Sequence, residues 1–216
     1  METMTDPRRP NRISRPRRTA AAAAFALLAA ATSVSAAEGE PSKVIRLTTD
    51  AATQVLQRTD ISADEKRKQI EDIVKQYFDF QTLARLTLAR HWKELSPEQQ
   101  AQFTREFERH LSITYGKNVE SYNNEKVVIT GERQENGGDS TVKTRIARPQ
   151  GNDILVDYRL RMGDGRWQVI DVIIEGVSLV ANYRSQFQDI ISRQGGAVRL
   201  IDVLREKNAR GEPIKS

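Results

Sequence analysis

Apolar residues recur every three or four positions up to about residue 124, and this spacing predicts a series of amphipathic helices. Two helix starts are marked by local chemistry. Ser62-Ala63-Asp64-Glu65 has the form of a capping box, and Ser96-Pro97-Glu98-Gln99 places proline directly after an N-cap serine. The second signal opens a long helix that the pattern continues to about residue 122, with anchors Phe103, Phe107, Leu111, Tyr115, Val119 and Tyr122.

Between about residues 126 and 174 the apolar period changes to two, which is the period of a half-buried strand. Turn residues near 135–139, 150–153 and 163–165 divide this stretch into a four-stranded antiparallel meander. A three-residue loop at 163–165 would place Tyr158 opposite Ile170, and Val156 opposite Val172, on one apolar face. The other face would then carry Lys143, Arg145, Arg159, Arg161 and Trp167, with Arg161 lying against the indole ring.

Helical spacing returns after about residue 179 and is interrupted by Gly195-Gly196. Four helices, a four-stranded antiparallel sheet and two further helices predict an α+β fold, with about six helices packed on one face of the sheet. An antiparallel sheet normally buries one face, so its apolar stripe is either plain core or the wall of a ligand cavity. Periodicity does not distinguish these two possibilities.

The first 37 residues contain the three parts of a secretory signal peptide. Six arginines lie between residues 8 and 18, an apolar run follows at 19–31, and small residues occupy 33–37. The apolar run is shorter than the roughly 20 residues that span a bilayer. We therefore expect cleavage after Ala36 or Ala37, by either the general or the twin-arginine export route. This leaves an exported domain at 38–210 and a polar tail at 211–216.

The net charge of the chain falls once the predicted signal peptide is set aside. The whole chain carries a formal net charge of +5, which would suit a nucleic-acid partner. Of its 34 basic and 29 acidic residues, six and two lie within residues 1–37, which leaves 28 and 27. A net charge of +1 is not typical of a nucleic-acid-binding domain, so we expect no nucleic-acid partner.

Few residues are available for catalysis or metal binding. The chain has no cysteine and only two histidines, His91 and His110, so thiolate sites and multi-histidine metal clusters are excluded. The remaining catalytic hypothesis is a carboxylate, Asp157 or Asp171, that acts as a base inside a cavity. The pattern places both on the basic face of the sheet, so we expect no enzyme, no metal and no cofactor.

Three stretches resemble the MlaC family. The first is Val156-Asp157-Tyr158-Arg159-Leu160-Arg161, the second is Gly165-Arg166-Trp167-Gln168-Val169-Ile170-Asp171-Val172, and the third is Ile174-Glu175-Gly176-Val177-Ser178-Leu179-Val180-Ala181-Asn182-Tyr183-Arg184-Ser185-Gln186-Phe187. The likeness extends from about residue 44 to residue 208. Members of this family are periplasmic phospholipid-binding proteins of the maintenance of lipid asymmetry pathway, also called toluene-tolerance auxiliary proteins.

The resemblance implies a soluble carrier that moves phospholipid between an outer-membrane lipoprotein complex and an inner-membrane ABC transporter with its MCE-domain subunit. It also implies an NTF2-like cone that encloses an apolar cavity, and we expect a monomer. Two alternatives stay open at this point. One is an exported NTF2-like enzyme that uses a cavity carboxylate, and the other is a ligand-free interaction protein that docks through its basic strand face.

Burial of acyl chains sets the size of the expected site. Each methylene removed from water contributes about 0.8 kcal/mol of transfer free energy. Two acyl chains of ~16 carbons therefore represent more than ~20 kcal/mol, and a carrier must cover them almost fully. We expect the apolar stripe of the sheet and one face of the long helix to provide that cover. The expected lining residues are Phe107, Leu111, Tyr115, Val142, Ile154, Val156, Tyr158, Leu160, Ile170 and Val172.

Overall fold

The computed structural model describes residues 40–116 and 121–214. The expected signal peptide, Val119 and residues 215–216 lie outside these described residues. The α+β class and the order of helices, strands and helices are confirmed. The elements are α1 (Glu40–Gln57), α2 (Ala63–Tyr77), α3 (Phe80–Leu88), a 3-10 turn (Ala89–Glu94), α4 (Pro97–Tyr115), β1 (Lys126–Gln134), β2 (Asp139–Ala147), β3 (Ile154–Gly163), β4 (Arg166–Ile174), β5 (Val177–Ser178), α5 (Leu179–Gln194) and α6 (Ala197–Arg210).

Both serines cap their helices as the sequence predicts, and the second start also forms the full capping box. The Ser62 hydroxyl accepts a hydrogen bond from the Glu65 backbone N–H at 3.2 Å, while the Glu65 side chain accepts from the Gln69 side-chain amide at 2.9 Å. Ser96 and Gln99 exchange hydrogen bonds at the start of α4, each side chain accepting from the other residue's backbone N–H. The C-terminal limit of α4 differs from the prediction, since the helix ends at Tyr115 and Tyr122 is not helical.

The sheet has five strands in the order β1-β2-β3-β4-β5, with every neighbouring pair antiparallel. The prediction of four strands was therefore wrong. Glu175 and Gly176 both have positive φ values, of 49° and 80°, and this tight turn returns the chain alongside β4. Strand β5 contains only Val177 and Ser178, which is too short to show a period of two in the sequence.

The register between β3 and β4 also differs from the prediction. The hairpin loop has two residues, Asp164 and Gly165, and a bulge shifts the pairing between Arg159 and Leu160. Tyr158 consequently pairs with Val172 rather than with Ile170. Because the loop and the bulge together displace the pairing by two residues, Val172 still lies on the same face as Tyr158.

Trp167 lies on the apolar face of the sheet, not on the basic one. It pairs with Met162 across the hairpin and packs against the apolar cluster of the sheet. Arg161 instead donates two hydrogen bonds to the Asp139 carboxylate, at 2.6 and 2.8 Å. The predicted contact between Arg161 and the indole was wrong because the shorter loop reverses the face of Trp167.

Two hydrophobic cores hold the domain together. The helix core joins α3, α4, α5 and α6 around the aromatic rings of Phe103, Phe107, Tyr183 and Phe187, whose centroids lie 5.0 to 5.7 Å apart. The sheet core joins the apolar stripe of the sheet to Ile45 of α1. Phe78, in the link between α2 and α3, packs against both cores.

Across residues 40–116 and 121–214, none of the helices combines the length and the apolar character that crossing a bilayer requires.

Candidate functional site

A cavity of about 1170 Å³ is bounded by α2, α4 and strands β3 and β4. Small-molecule sites usually enclose about 300–1,000 Å³, so this cavity lies somewhat above that range. It contacts the helix core on one side and the sheet core on the other. Its apolar lining residues are Ile70, Val74, Phe78, Phe80, Leu83, Leu111, Ile113, Tyr115, Tyr158, Val172, Ile174 and Leu179.

Helical and strand periods explain why these side chains share one cavity. Leu111 and Tyr115 are four residues apart on α4, as are Ile70 and Val74 on α2, so each pair lies on one helix face. Tyr158 and Val172 are direct partners across β3 and β4.

Four of the ten residues expected to line a cavity are on this wall, namely Leu111, Tyr115, Tyr158 and Val172. Their contact with a ligand stays a prediction. The other six are placed elsewhere. Phe107 is in the helix core, Ile170 is buried beside the bulge, and Val142, Ile154, Val156 and Leu160 pack in or against the sheet core.

The division of the apolar stripe has a physical cause. Helix α1 covers part of the sheet, where its Ile45 packs in the sheet core. Tyr158, Val172 and Ile174 belong to or pack against the same core, and they also border the cavity. Period-two alternation is identical in both regions, so the sequence could not separate core from wall.

Helix α2 contributes wall residues that are absent from the expected lining, among them Ile70 and Val74. None of the residues of α2 is fully buried, so its apolar side remains partly exposed beside the cavity. Helical spacing alone does not distinguish such wall residues from core residues.

Polar contacts join α2 to α4 beside the apolar lining. The Lys75 ammonium lies 3.1 Å from a Glu108 carboxylate oxygen, and Glu108 raises the pKa of Lys75. One turn further along, the Ser112 hydroxyl donates to the Glu71 carboxylate. We call these two contacts the α2–α4 seam.

Two tyrosines on the wall are neutral over the physiological range. Burial raises the pKa of Tyr158 to about 12, and it also raises the pKa of Tyr115. Both phenols therefore keep their protons and add apolar rings with one polar tip each.

The opposite face of the sheet carries a smaller polar cleft of about 520 Å³, lined in part by Asp157, Arg159 and Asp171. Asp171 accepts hydrogen bonds from the Ser178 hydroxyl at 2.6 Å and from the Val180 backbone N–H at 3.1 Å. Its carboxylate thus holds the start of α5. Asp157 and Asp171 are not directly opposed, as the predicted register had them, since Asp157 pairs with Ile173 and Arg159 pairs with Asp171.

The fold and this cavity define a class of protein: an α+β domain with a largely apolar cavity between two hydrophobic cores. Comparison with known families agrees with this class. The family model described as MlaC protein matches residues 46–206, so the chain belongs to the MlaC family.

Two curated relatives are similar over part of their length. Toluene tolerance protein ttg2D of Pseudomonas putida is 28% identical over 106 residues, covering 49% of this chain and 49% of the relative. The intermembrane phospholipid transport system binding protein MlaC of Haemophilus influenzae is 27% identical over 124 residues, covering 55% and 58%. The chain thus spans about half the length of the curated relatives it matches.

A solved structure shares the fold. It is a phospholipid-binding protein from Ralstonia solanacearum in complex with a phospholipid, with a TM-score of 0.73 and 24% sequence identity. The match covers 80% of this chain and 99% of the other.

Proposed function

We propose that the protein is a phospholipid carrier that holds acyl chains in the cavity between α2, α4 and the sheet. The observation that supports this most directly is the size and apolar lining of that cavity, about 1170 Å³ between two separate cores. Acyl chains gain about 0.8 kcal/mol for each methylene they bury, so an enclosing wall supplies the free energy of binding. The helices and the sheet form an NTF2-like cone around the chains, while the headgroup stays at the opening.

The proposed place of action is the periplasm, after removal of residues 1–37 as a signal peptide. There the monomeric carrier exchanges lipid with an outer-membrane lipoprotein complex and with an inner-membrane ABC transporter that includes an MCE-domain subunit. Family membership supports this assignment, as does the relative named as an intermembrane phospholipid transport system binding protein.

A carrier suits the geometry better than an enzyme. The catalytic alternative needs Asp157 or Asp171 on the wall of the main cavity, and both lie in the polar cleft on the other face of the sheet. Asp171 is further committed to α5 through two hydrogen bonds.

The test is to recover the processed protein from cells that express the full chain and to extract it with organic solvent. We expect mass spectrometry to find phospholipid in the extract. Leu111→Trp should lower the bound lipid without loss of folding, because Leu111 lines the cavity. Val156→Trp is the matched control and should instead destabilise the fold by about 1–3 kcal/mol, because Val156 is packed in the sheet core.

Absence of phospholipid from the wild-type extract, combined with no uptake from phospholipid vesicles, would overturn the proposal. Equal lipid content in wild type and a folded Leu111→Trp protein would show that α4 does not contact the chains.

A further inference from the structure

The charged residues that line the cavity carry more positive than negative charge. Six charged residues line it, of which Arg67, Lys75, Arg105 and Arg109 are basic, and Glu71 and Glu108 are acidic. Most of these have partners. Lys75 lies 3.1 Å from Glu108, the Glu71 carboxylate accepts from Ser112, and Arg67 lies 2.8 Å from Asp64.

Arg105 and Arg109 are the exceptions. Among the residues that the structure describes, neither guanidinium has an ion pair or a side-chain hydrogen bond, and both residues are exposed. The neighbouring carboxylates of α4 are occupied elsewhere. Glu108 pairs with Lys75, and Glu106 accepts from the Asn208 side-chain amide at 2.9 Å and lies 3.7 Å from Arg205.

The spacing of the two arginines suits one shared anion. Residues four apart lie about one turn from each other on the same helix face, with roughly 5–6 Å between their Cβ atoms. Like charges at this spacing repel, so both arginines gain when an anion binds between them. Guanidinium groups bind phosphate through paired hydrogen bonds, with a geometry that an ammonium group does not offer.

Their position along α4 matches the order of charge in a phospholipid. Leu111 and Tyr115, in the following turns of the same helix, belong to the apolar lining of the cavity. The helix therefore presents two guanidiniums and then an apolar surface along one wall. A phosphate at the arginines leaves the attached chains beside that surface.

We propose that Arg105 and Arg109 form a binding site for the phosphate group of the carried lipid. The inference rests on the proposed carrier function and deepens it, because it assigns the preferred cargo to lipids with an anionic phosphate. A lipid of equal chain length without the phosphate gains the same apolar burial but leaves the arginines unpaired. The carrier therefore selects phospholipid over diacylglycerol.

A competition experiment tests this selection. Lipid-free mature protein is incubated with vesicles that contain phosphatidylglycerol and diacylglycerol of identical chains, then repurified, and both bound lipids are counted by mass spectrometry. We expect wild type to favour phosphatidylglycerol, and Arg105→Gln/Arg109→Gln to lower that ratio about tenfold with total bound lipid preserved.

The control is Lys93→Gln/Arg166→Gln, which removes the same charge from two exposed positions outside both cavities and should keep the wild-type ratio. Arg105→Lys/Arg109→Lys preserves charge but loses the paired hydrogen bonds, so an intermediate ratio is expected.

Each other outcome has a distinct meaning. A site-variant ratio equal to that of the control overturns the phosphate site and leaves the carrier proposal standing. Failure of wild type to take up either lipid overturns the carrier proposal itself. Calorimetric binding of inorganic phosphate that depends on the two arginines, with an unchanged lipid ratio, would assign them to a free ion and overturn the headgroup assignment.

Discussion

At the scale of single residues, His110 shows how a polar group is held inside the helix core. It is fully buried, with Nδ1 3.0 Å from the Asn208 side-chain oxygen, while Nε2 accepts from the Ile214 backbone N–H at 3.3 Å. Ile214 belongs to the predicted polar tail, yet it is itself buried against the helix core. The imidazole therefore ties the end of the described chain to α4 and α6.

Protonation of His110 would disrupt this arrangement. Burial is the main cause that lowers the pKa of His110 below its usual 6.5, with a further contribution from nearby Lys207, while the Asn208 hydrogen bond acts in the opposite direction. The folded protein thus binds this proton less readily than the unfolded chain does. The stabilisation is complete above the unfolded pKa and declines as the pH falls below about 6.5.

We expect the free energy of unfolding of the wild type to fall more steeply from about pH 7.5 to about pH 5.5 than that of His110→Gln. Urea unfolding at several pH values in this range measures the difference. His91 is present in both proteins, so the comparison isolates His110. Parallel stability curves for the two proteins would contradict this assignment.

At the scale of elements, α2 is a wall helix none of whose residues is fully buried. Its C-terminal end is fixed where Phe78 bridges Val169 and the Asp79 backbone N–H donates to the Val169 carbonyl at 3.0 Å. Along its length the polar contacts of the α2–α4 seam join it to α4. Elements with little buried apolar surface open at low free energy. We therefore expect lipid to enter when α2 separates from α4.

Cross-linking the seam tests this route. Glu71 and Ser112 contact each other, and the chain has no native cysteine, so Glu71→Cys/Ser112→Cys introduces a unique pair. We expect a short bis-maleimide across this pair to reduce lipid exchange with vesicles to the background rate. The same double variant capped with a monofunctional maleimide is the control. Equal exchange rates for linked and capped protein would show that lipid enters elsewhere.

At the scale of the whole molecule, most of the net positive charge lies in the predicted export segment. Its six arginines and two acidic residues account for four of the five net positive charges of the chain. The domain that remains is nearly neutral and has no cysteine. It therefore depends on its two cores for stability, without disulfides.

Expression of the full chain in a Gram-negative host should yield a periplasmic protein whose N-terminus follows Ala36 or Ala37. N-terminal sequencing and intact mass check this. Leu27→Arg/Leu28→Arg should block processing, because two charges interrupt the apolar run that export requires. A wild-type protein recovered from the cytoplasm with residues 1–37 intact would contradict the signal-peptide assignment.

Local signals in the sequence were enough for the six helices, the four longer strands and their order. The capping residues Ser62 and Ser96 act as predicted, and alternation on β2 and β3 identifies the apolar face correctly. The register of β4 was missed because the hairpin loop has two residues rather than three and because a one-residue bulge leaves no mark in the pattern. The family-like run from Glu175 also proves to be structural in part, since Arg184 donates to the Leu86 carbonyl at 2.6 and 3.1 Å and so joins α5 to α3.

The sequence by itself determined the α+β class, the helix starts, a sheet with one apolar and one polar face, and the family likeness. Each of these depends on residues close together in the chain. Only the tertiary structure decided which apolar residues are wall and which are core. Tyr158 and Val156 have the same local pattern, and both pack in or against the sheet core that contains Ile45 of α1. Of the two, only Tyr158 also borders the cavity beside α2 and α4. Burial against a distant element is a property of the assembled fold, so no local pattern records it.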